Sequence, residues 1–525
     1  MITMTLCQVT NTAKNWSLRR KAVHFGVVLL FVAISFASTD STIIYHDLAK
    51  RDLQLGDQGI AAASALRFVG LAVAGIILVP LAYRYGRRPV YILSVTVQLA
   101  SVVWTATARH GWEFIMASGM AGVGASVSQA IVPLTITDIF FMNKFATAYG
   151  WYVFAQGAGA FLGPLLASFI VAGQGWRMMT WWMALTLLII AFIVLLLLEE
   201  STFVPNIDVQ MDCKKAQAKI DRRMAFGNED FANERQQEKV DAFESNMPYL
   251  ASGLGLPPAP KSLRQRLATI TPTGRPIGER FMSCFVILVR FPGVAYAALT
   301  YGFIMIWLEL FNYAIITEMT VGPYNFDIHD TGLFNLAPLL GLLVGTLAIT
   351  PLSDRWMVKR AIGNAGLYEP ETRLWLALPA GALVAAGALM FGIGISQKAS
   401  IPILSNGFLL FSVGFGLCLE TSLTYVTECY HSMIGDAFVG VVFVRNISAA
   451  ILWAGIMPWL NTAGNIRSIV IITGAGLVAV LLIPVALLRW GRTGRMATAA
   501  KYRHYSLAAT PPAILERIFG NKADR

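Results

Sequence analysis

Long apolar segments constrain the fold of this chain more than any other feature of its sequence. Only 14% of its 525 residues are charged, whereas a soluble domain holds roughly 25%. A helix needs about 20 apolar residues to cross the hydrocarbon core of a bilayer. The sequence therefore predicts an all-α integral membrane protein with twelve transmembrane helices, at residues 23–46, 58–82, 90–108, 112–139, 147–172, 179–198, 289–316, 331–352, 374–395, 401–426, 436–460 and 467–488.

One long polar segment divides these helices into six and six. Residues 199–285 are rich in charge and proline, so they cannot bury enough apolar surface to fold alone, and we expect a partly helical linker there. The predicted organisation is an N-terminal tail over 1–22, a six-helix bundle over 23–198, a central loop over 199–285, a second six-helix bundle over 286–488 and a C-terminal tail over 489–525.

The two halves carry matching residues at a constant spacing. Thr137-Asp138 ends the fourth apolar segment and Thr427-Glu428 ends the tenth, 290 positions later; Gly150 and Gly440 match at the same spacing. Parallel repeats of this kind indicate two pseudo-symmetric bundles. In transporters built this way, the substrate site lies near the middle of the membrane between the halves.

The basic excess of the chain follows its topology. The net charge is +11, and with the N-terminus on the inner side the N-terminal tail, the short inner loops and residues 489–495 carry 15 Lys and Arg, against six in the outer loops. This positive-inside bias predicts that both termini are cytoplasmic, and it argues against a nucleic-acid partner. The sequon at Asn15 would then lie on the inner side.

The sequence also predicts what the chain does not do. Its five cysteines show no disulfide framework, and its six histidines are scattered without metal-ligand spacing. No phosphate-binding loop of the Walker type is present in the sequence. We therefore expect no enzyme activity, no metal, no cofactor and no ATP-driven pumping.

Five charged residues lie well inside the apolar segments, away from the segment ends, where each costs at least ~2.5–3.5 kcal/mol unless it is paired or hydrated. Similar depths in the membrane predict that Asp40 pairs with Arg67 and that Glu420 pairs with Arg445. Arg67 and Arg445 would then be fixed structural partners. Glu309 has no basic residue at its depth, which leaves it protonated, hydrated or facing a cationic substrate.

Aromatic and polar residues surround Glu309 in the sequence. Such rings beside a carboxylate suit a lipophilic cation, although aromatic stripes in membrane helices are also common packing. The candidate substrate-binding and coupling residues are Asp40, Tyr301, Trp307, Glu309, Asn312, Tyr313 and Glu420.

A second candidate feature is the short basic loop after the second segment, which has a counterpart after the eighth. Arginines there can bond carboxylates and helix ends and then release them, although they can also serve only the positive-inside bias. The predicted conformational latch consists of Arg84, Gly86, Arg87, Arg88, Asp138, Asp354, Arg355 and Glu428.

Several motifs resemble the major facilitator superfamily, and specifically its fungal drug:proton antiporter branch: YRYGRR at 83–88, DIFF at 138–141 and GAFLGP at 159–164. The resemblance implies the major facilitator fold, and a hinge in the fifth helix at Gly159, Gly163 and Pro164, where a plain kink is the alternative. This chain departs from the family pattern in having Tyr83 and Ser118, and Ala167-Ser168 after the proline, where an acidic residue, an arginine and a glycine pair are usual.

These observations lead to three hypotheses. The first is proton-coupled efflux of small amphipathic organic molecules, such as a drug or secondary metabolite, by rocking of the two halves. The second is proton-driven import of a small cationic nutrient such as a polyamine, and the third is a membrane receptor that does not transport. The expected partners are a small organic substrate, protons and the lipid bilayer, for a monomer in the plasma membrane.

Overall fold

The computed structural model describes residues 16–141, 144–201, 280–363, 369–463 and 478–508, together with residues 13 and 476. Every regular element within these ranges is helical. Among the described residues, eleven helices are long and apolar enough to cross a membrane. They are α1 Leu18–Asp52, α2 Asp57–Tyr85, α3 Arg87–Thr107, α4 Gly111–Ile139, α5 Phe145–Gln174, α6 Trp176–Leu197, α7 Pro292–Thr317, α8 Ile328–Arg360, α9 Pro370–Ser396, α10 Ile401–Cys429 and α11 Ile434–Ala463.

The predicted twelfth segment lies partly outside the described residues. A π-helical turn over Val478–Leu482 leads into α12, Ile483–Ala508. This helix runs past residue 488, where the sequence placed the start of the tail. An ion pair holds the extension, because Arg495 donates from Nε and Nη2 to the two Glu371 carboxylate oxygens at 2.6 Å each. Most of the central loop is likewise outside the described ranges, so the division into domains stays a prediction.

A short helix precedes α7 and was not separated from it by the sequence analysis. It spans Arg280–Arg290 and ends at Phe291, after which Pro292 begins α7. Proline lacks the N–H that a continuous helix needs, and it is well placed in the first turn of a new one. The pattern of hydropathy alone did not show this break, because both helices are apolar.

Hydroxyl side chains bend α1 and α4 near the middle of the N-terminal half. In α1, the Thr39 hydroxyl donates to the backbone carbonyls of Ser35 and Phe36, and the helix changes to a 3₁₀ turn over Ser41–Tyr45. In α4, Ser126 donates to the Val123 carbonyl at 2.9 Å where the α-helix is interrupted. Such bonds compete with the regular backbone ladder and bend helices. They leave irregular backbone inside the bundle, where polar groups can be used.

The two halves contact each other at both ends. α2 packs against α11, and α5 packs against α8 and α10. At the end that carries the loop at Gly86, which we call the predicted inner end, Gly435 lies against the Tyr83 ring. At the opposite, predicted outer end, Gly332 lies against Ser168. The halves therefore meet at both the predicted inner end and the predicted outer end.

α6 lies on the outside of the N-terminal half. Its large apolar side chains are exposed, including Ile189, Phe192 and Leu196, and no charged residue occurs in its apolar stretch. An apolar surface of this extent needs a nonaqueous surrounding. It is the surface that lipid would cover, in line with the predicted membrane protein.

Small residues let α5 approach α1 closely. A Cβ on Gly159 would collide with the Ala33 carbonyl oxygen, and one on Gly163 would lie 2.7 Å from the Ala37 Cα. α5 continues as one helix through Pro164. Both glycines are thus close-packing positions within the N-terminal half, and their predicted role as a hinge remains a prediction.

Replacing Gly159 by alanine tests this packing. We expect Gly159→Ala to lower the free energy of unfolding by about 1–3 kcal/mol, because the new methyl group forces α1 and α5 apart. Thermal unfolding of the detergent-purified protein would measure it. Gly173→Ala in the same helix is the matched control, since nothing lies within 4 Å of a Cβ there. Equal melting temperatures for the two variants would contradict the close approach.

Candidate functional site

Four charged side chains from both halves gather at the centre of the molecule. Asp40 on α1 and Arg67 on α2 belong to the N-terminal half, and Glu309 on α7 and Arg445 on α11 belong to the C-terminal half. Glu309 interacts electrostatically with Asp40 and with both arginines, and Asp40 interacts with both arginines as well. The formal charges of the cluster cancel, which lets four ionisable groups share a buried space.

Glu309 is held by a tryptophan that the sequence analysis did not select. Its side chain is 2% exposed, and its Oε2 accepts a hydrogen bond of 2.8 Å from the Trp453 indole nitrogen. The Tyr313 ring packs edge-on to Trp453, with centroids 6.2 Å apart, and His46 contacts the same indole from the other half. Glu309 therefore sits among rings from both halves.

Arg445 faces aromatic surface rather than a carboxylate. Its guanidinium carbon lies 4.6 Å from the centroid of the Tyr301 ring and 5.5 Å from that of Phe36 on α1. A cation over an aromatic face is attracted by the electron density of the ring. The Tyr301 hydroxyl in turn donates to the Gln156 side-chain oxygen at 2.9 Å, so the predicted site residue Tyr301 bridges the two halves.

Arg67 binds the bent part of α1. Its Nη1 donates to the Thr39 carbonyl oxygen and, at 2.7 Å, to the Thr42 hydroxyl. A carbonyl at a helix C-terminus carries partial negative charge and suits a cation. The Asp40 carboxylate, which is partly exposed to the internal space, accepts from the Thr39 hydroxyl at 3.3 Å. Arg67 is thus an electrostatic neighbour of Asp40 and is anchored to the residue beside it.

The predicted pairing of Glu420 with Arg445 is wrong. Glu420 accepts from Thr424 at 3.1 Å and lies 3.9 Å from the Arg373 guanidinium, whereas Arg445 points to the central cluster. The two depths were estimated as similar, but Glu420 lies nearer the predicted inner end than Arg445, and the direction of each side chain around its helix depends on packing. Glu420 therefore belongs to a second cluster at the predicted inner end.

One other candidate, Trp307, lies away from the central cluster. Trp307 is 2% exposed and packs edge-on against Phe411 inside the C-terminal half, with ring centroids 6.3 Å apart. Its position two residues before Glu309 places it on another face of α7. Asn312 is partly exposed. The predicted contribution of Trp307 to the substrate site is not supported by its packing, and the other assignments of substrate binding remain predictions.

At the predicted inner end, the basic loop of the N-terminal half is held by carboxylates. The Arg87 Nε lies 3.4 Å from the Asp138 carboxylate. Glu200, just after α6, accepts from the backbone N–H groups of Arg87 and Arg88 at 2.9 and 3.1 Å and so caps the start of α3. Gly86, with φ of 104°, makes the turn that brings them there. The Arg87 guanidinium also lies over the Tyr83 ring, at 4.6 Å.

The corresponding cluster in the C-terminal half is organised by Arg373. Its guanidinium contacts Glu428 at 2.8 Å, Asp354 at 3.2 Å and Glu420 at 3.9 Å, and its side chain is 2% exposed. Asp354 also accepts from the backbone N–H and the hydroxyl of Thr147 on α5, at 2.9 and 2.7 Å. The cluster therefore joins the two halves at this end.

Among the residues predicted as a latch, Arg355 is exposed and does not belong to this cluster. Arg373, which the sequence analysis counted only as part of the basic inner side, takes the expected place. Arg84 lies over the Tyr85 ring at 5.5 Å. Whether these contacts act as a latch remains a prediction.

Two features of the sequence could have identified site residues that were not selected. Trp453 follows Arg445 by eight residues, a spacing that returns to the same face of a helix. Thr147 and Gln156 are polar residues in an apolar α5. By contrast, nothing in the sequence indicates that Asn446 donates to Gln129 across the halves at 2.8 Å, because such a bond depends on how α11 meets α4.

Comparison with known proteins agrees with this architecture. The model of the Major Facilitator Superfamily matches residues 25–452. The chain belongs to this superfamily. Its members are transporters, and a solved structure of the proton:xylose symporter XylE superposes with a TM-score of 0.60 at 14% identity, over 90% of this chain and 96% of that chain. The predicted family and the all-α membrane fold are thereby confirmed.

Fungal members of the superfamily are similar along nearly the whole length. An uncharacterized MFS-type transporter of Schizosaccharomyces pombe is 24% identical over 94% of this chain and 87% of its own length. An efflux pump of Gibberella fujikuroi, bik6, is 24% identical over 92% of this chain and 91% of its own length. This chain is a membrane transporter of the same superfamily.

Removing the Arg373 guanidinium tests the inner cluster. Arg373→Gln should lower the free energy of unfolding by about 3–5 kcal/mol, because three buried carboxylates lose their shared cation. Arg355→Gln is the matched control, since it removes an exposed arginine from the same end. Thermal unfolding of the two variants in detergent would compare them. A loss in Arg355→Gln as large as that in Arg373→Gln would contradict this assignment.

Proposed function

We propose that this transporter couples protons to the efflux of small amphipathic organic cations, in the manner of an antiporter. The substrate would bind between the halves, beside Asp40 and Glu309, and the halves would rock around it. On this proposal the chain works as a monomer in the plasma membrane with both termini in the cytoplasm, the orientation that its basic loops favour.

The observation that carries the proposal is the meeting of two carboxylates from different halves. Asp40 and Glu309 interact electrostatically across the centre of the molecule. A carboxylate at this depth is costly unless it is paired, protonated or hydrated. A cation and a proton can therefore compete for the same groups, which is the property that exchange requires.

The walls of the site support an amphipathic substrate. Phe36 and Tyr301 flank one arginine, and Tyr313 and Trp453 lie beside Glu309. Pockets of this kind combine apolar surface with a few placed polar groups, which orient the ligand. Aromatic rings next to carboxylates are suited to organic cations.

Contacts at the predicted inner end support rocking of the halves. Asp354 accepts from Thr147, and the Tyr149 and Thr427 hydroxyls share a hydrogen bond of 2.9 Å. Both bonds join one half to the other, so they must break when this end opens. The Tyr149–Thr427 bond contributes about 1 kcal/mol net and the bond to the Asp354 carboxylate about 1.5–3 kcal/mol, so each is weak enough to break in a rocking movement.

Import of a small cationic nutrient is a second candidate function, and the same two carboxylates favour it. The two functions differ in the sign of coupling. An antiporter accumulates a cation in the acidic compartment, because protons leave that compartment as the cation enters. A symporter accumulates the cation in the alkaline compartment.

Proteoliposomes with an imposed pH difference distinguish these functions regardless of protein orientation. We expect ethidium, a permanently charged organic cation, to accumulate in an acidic lumen and not in an alkaline one. Accumulation in the alkaline lumen would overturn efflux in favour of import. Uptake equal to that of empty liposomes in both cases would indicate a receptor that does not transport.

Glu309→Gln should reduce ethidium uptake at least tenfold, which corresponds to about 1.4 kcal/mol of lost transition-state stabilisation. The substitution keeps the shape of the side chain and its bond from Trp453 but removes the charge. Glu318→Gln is the matched control, because Glu318 is an exposed carboxylate just after the same helix. Wild-type uptake by Glu309→Gln, with equal amounts of protein in the liposomes, would remove Glu309 from the coupling site.

A further inference from the structure

A small polar cavity lies inside the N-terminal half, beside the central cluster. Its volume is about 30 Å³, room for about two water molecules. Hydroxyl groups and one guanidinium contribute most of its polar lining, from Thr39, Ser64, Arg67, Thr105, Ser118 and Thr180. Every lining residue comes from α1, α2, α3, α4 or α6, so the cavity lies within the N-terminal half.

Two buried polar atoms at this cavity have no partner among the described residues. They are the Arg67 Nε and the Ser64 hydroxyl, on side chains that are 5% and 3% exposed. A buried donor or acceptor left without a hydrogen bond costs about 1–3 kcal/mol. A cavity that is polar and large enough for water supplies those bonds, so we expect this one to be filled with water.

Thr39 connects the cavity to Asp40. The residue lines the cavity, and its hydroxyl lies 3.3 Å from the Asp40 carboxylate. A hydroxyl can accept a proton from a water on one side while it passes its own proton to an acceptor on the other. The hydronium ion becomes water, Thr39 is neutral again, and Asp40 becomes a carboxylic acid.

We propose that this cavity is a water-filled proton entry to Asp40 that runs through the N-terminal half alone. The proposal rests on proton coupling as the proposed function. The cavity lies toward the predicted outer end, because its lining residues on α1 include Tyr45 and His46 and its first residue on α4 is Phe114. Asp40 can therefore exchange a proton while the space between the halves is closed or holds substrate.

The charges that face Asp40 come from three other helices. Arg67 on α2, Arg445 on α11 and Glu309 on α7 all interact with it electrostatically. Only Arg67 also lines the cavity. Its positive charge raises the free energy of a hydronium ion beside it, so the water chain is expected to pass a proton along the hydroxyl side of the cavity, by way of Thr39.

A larger side chain at Ser118 would fill the cavity and so tests the proposal. We expect Ser118→Leu to slow protonation of Asp40 about tenfold, which corresponds to about 1.4 kcal/mol in the barrier. Ser118→Ala is the matched control, because it keeps the space open. The measurement is the rate at which the carboxylic-acid infrared band of Asp40, assigned with Asp40→Asn, appears after a drop in pH in nanodiscs.

Thr39 gives an independent test of the relay. Thr39→Val keeps the shape of the side chain and removes the hydroxyl, so it should slow the appearance of the same infrared band about tenfold as well. Thr39→Ser should restore the wild-type rate. A wild-type rate in Ser118→Leu or in Thr39→Val, or the absence of an Asp40 band in the wild-type protein, would overturn the proposal.

Ethidium separates this proposal from the proposed function. Equilibrium binding of ethidium should stay unchanged in Ser118→Leu when protonation slows, because Ser118 lines the cavity from α4 and takes no part in the cluster that binds substrate. If the Asp40 band appears more slowly in the variants but ethidium transport moves no protons, proton coupling would be overturned and the proton entry through the cavity would be supported. If Asp40 is protonated at the wild-type rate in both Ser118→Leu and Thr39→Val while ethidium transport remains coupled to protons, the proton entry through the cavity would be overturned and the proposed function would be supported.

Discussion

Charge buried in the hydrocarbon region is the constraint on which the rest of this structure depends. Each ionised group there needs a partner, a hydrogen bond or water. Asp40 and Arg67 from one half and Glu309 and Arg445 from the other satisfy this requirement together, at the centre. Neither half could bury its own charged groups as well alone, so the cluster also favours the association of the halves.

The irregular backbone of α1 makes the centre of the site possible. Where the helix tightens at Ser41, the Thr39 carbonyl accepts both from Arg67 and, at 2.8 Å, from the Thr42 hydroxyl. The same threonine contacts Asp40 and lines the polar cavity. A regular helix would leave that carbonyl bonded to the next turn. The bend at Thr39 thus brings the Asp40 carboxylate, the Arg67 guanidinium and the polar cavity together.

The predicted inner end is built on the same principle with a different arrangement. Arg373 neutralises carboxylates on α8 and α10, and Asp354 at the same time caps the start of α5 in the other half. In the N-terminal half, Glu200 caps α3 from the end of α6. Helix N-termini attract carboxylates, and here they connect helices that are distant in sequence. The bond from Thr147 to Asp354 therefore both caps α5 and joins the two halves at this end.

Much of the fold could be predicted from the sequence because the membrane limits the choice of structure. The periodic apolar segments and the motifs at 83–88 and 159–164 led to the superfamily, and the repeat at spacing 290 placed Asp138 and Glu428 at equivalent helix ends. Two helix boundaries were missed, the break at Pro292 and the extension of α12, because apolar content alone does not register a missing N–H or an ion pair.

The sequence by itself determined which residues are charged within the membrane, and Asp40, Arg67, Glu309 and Arg445 were all selected that way. Only the tertiary structure decided which of them meet. Glu420 joins Arg373 and not Arg445, and Glu309 receives Trp453. The physical reason is that hydropathy and helical rise fix the depth of a side chain, whereas its partner depends on the rotation and packing of helices far apart in the chain.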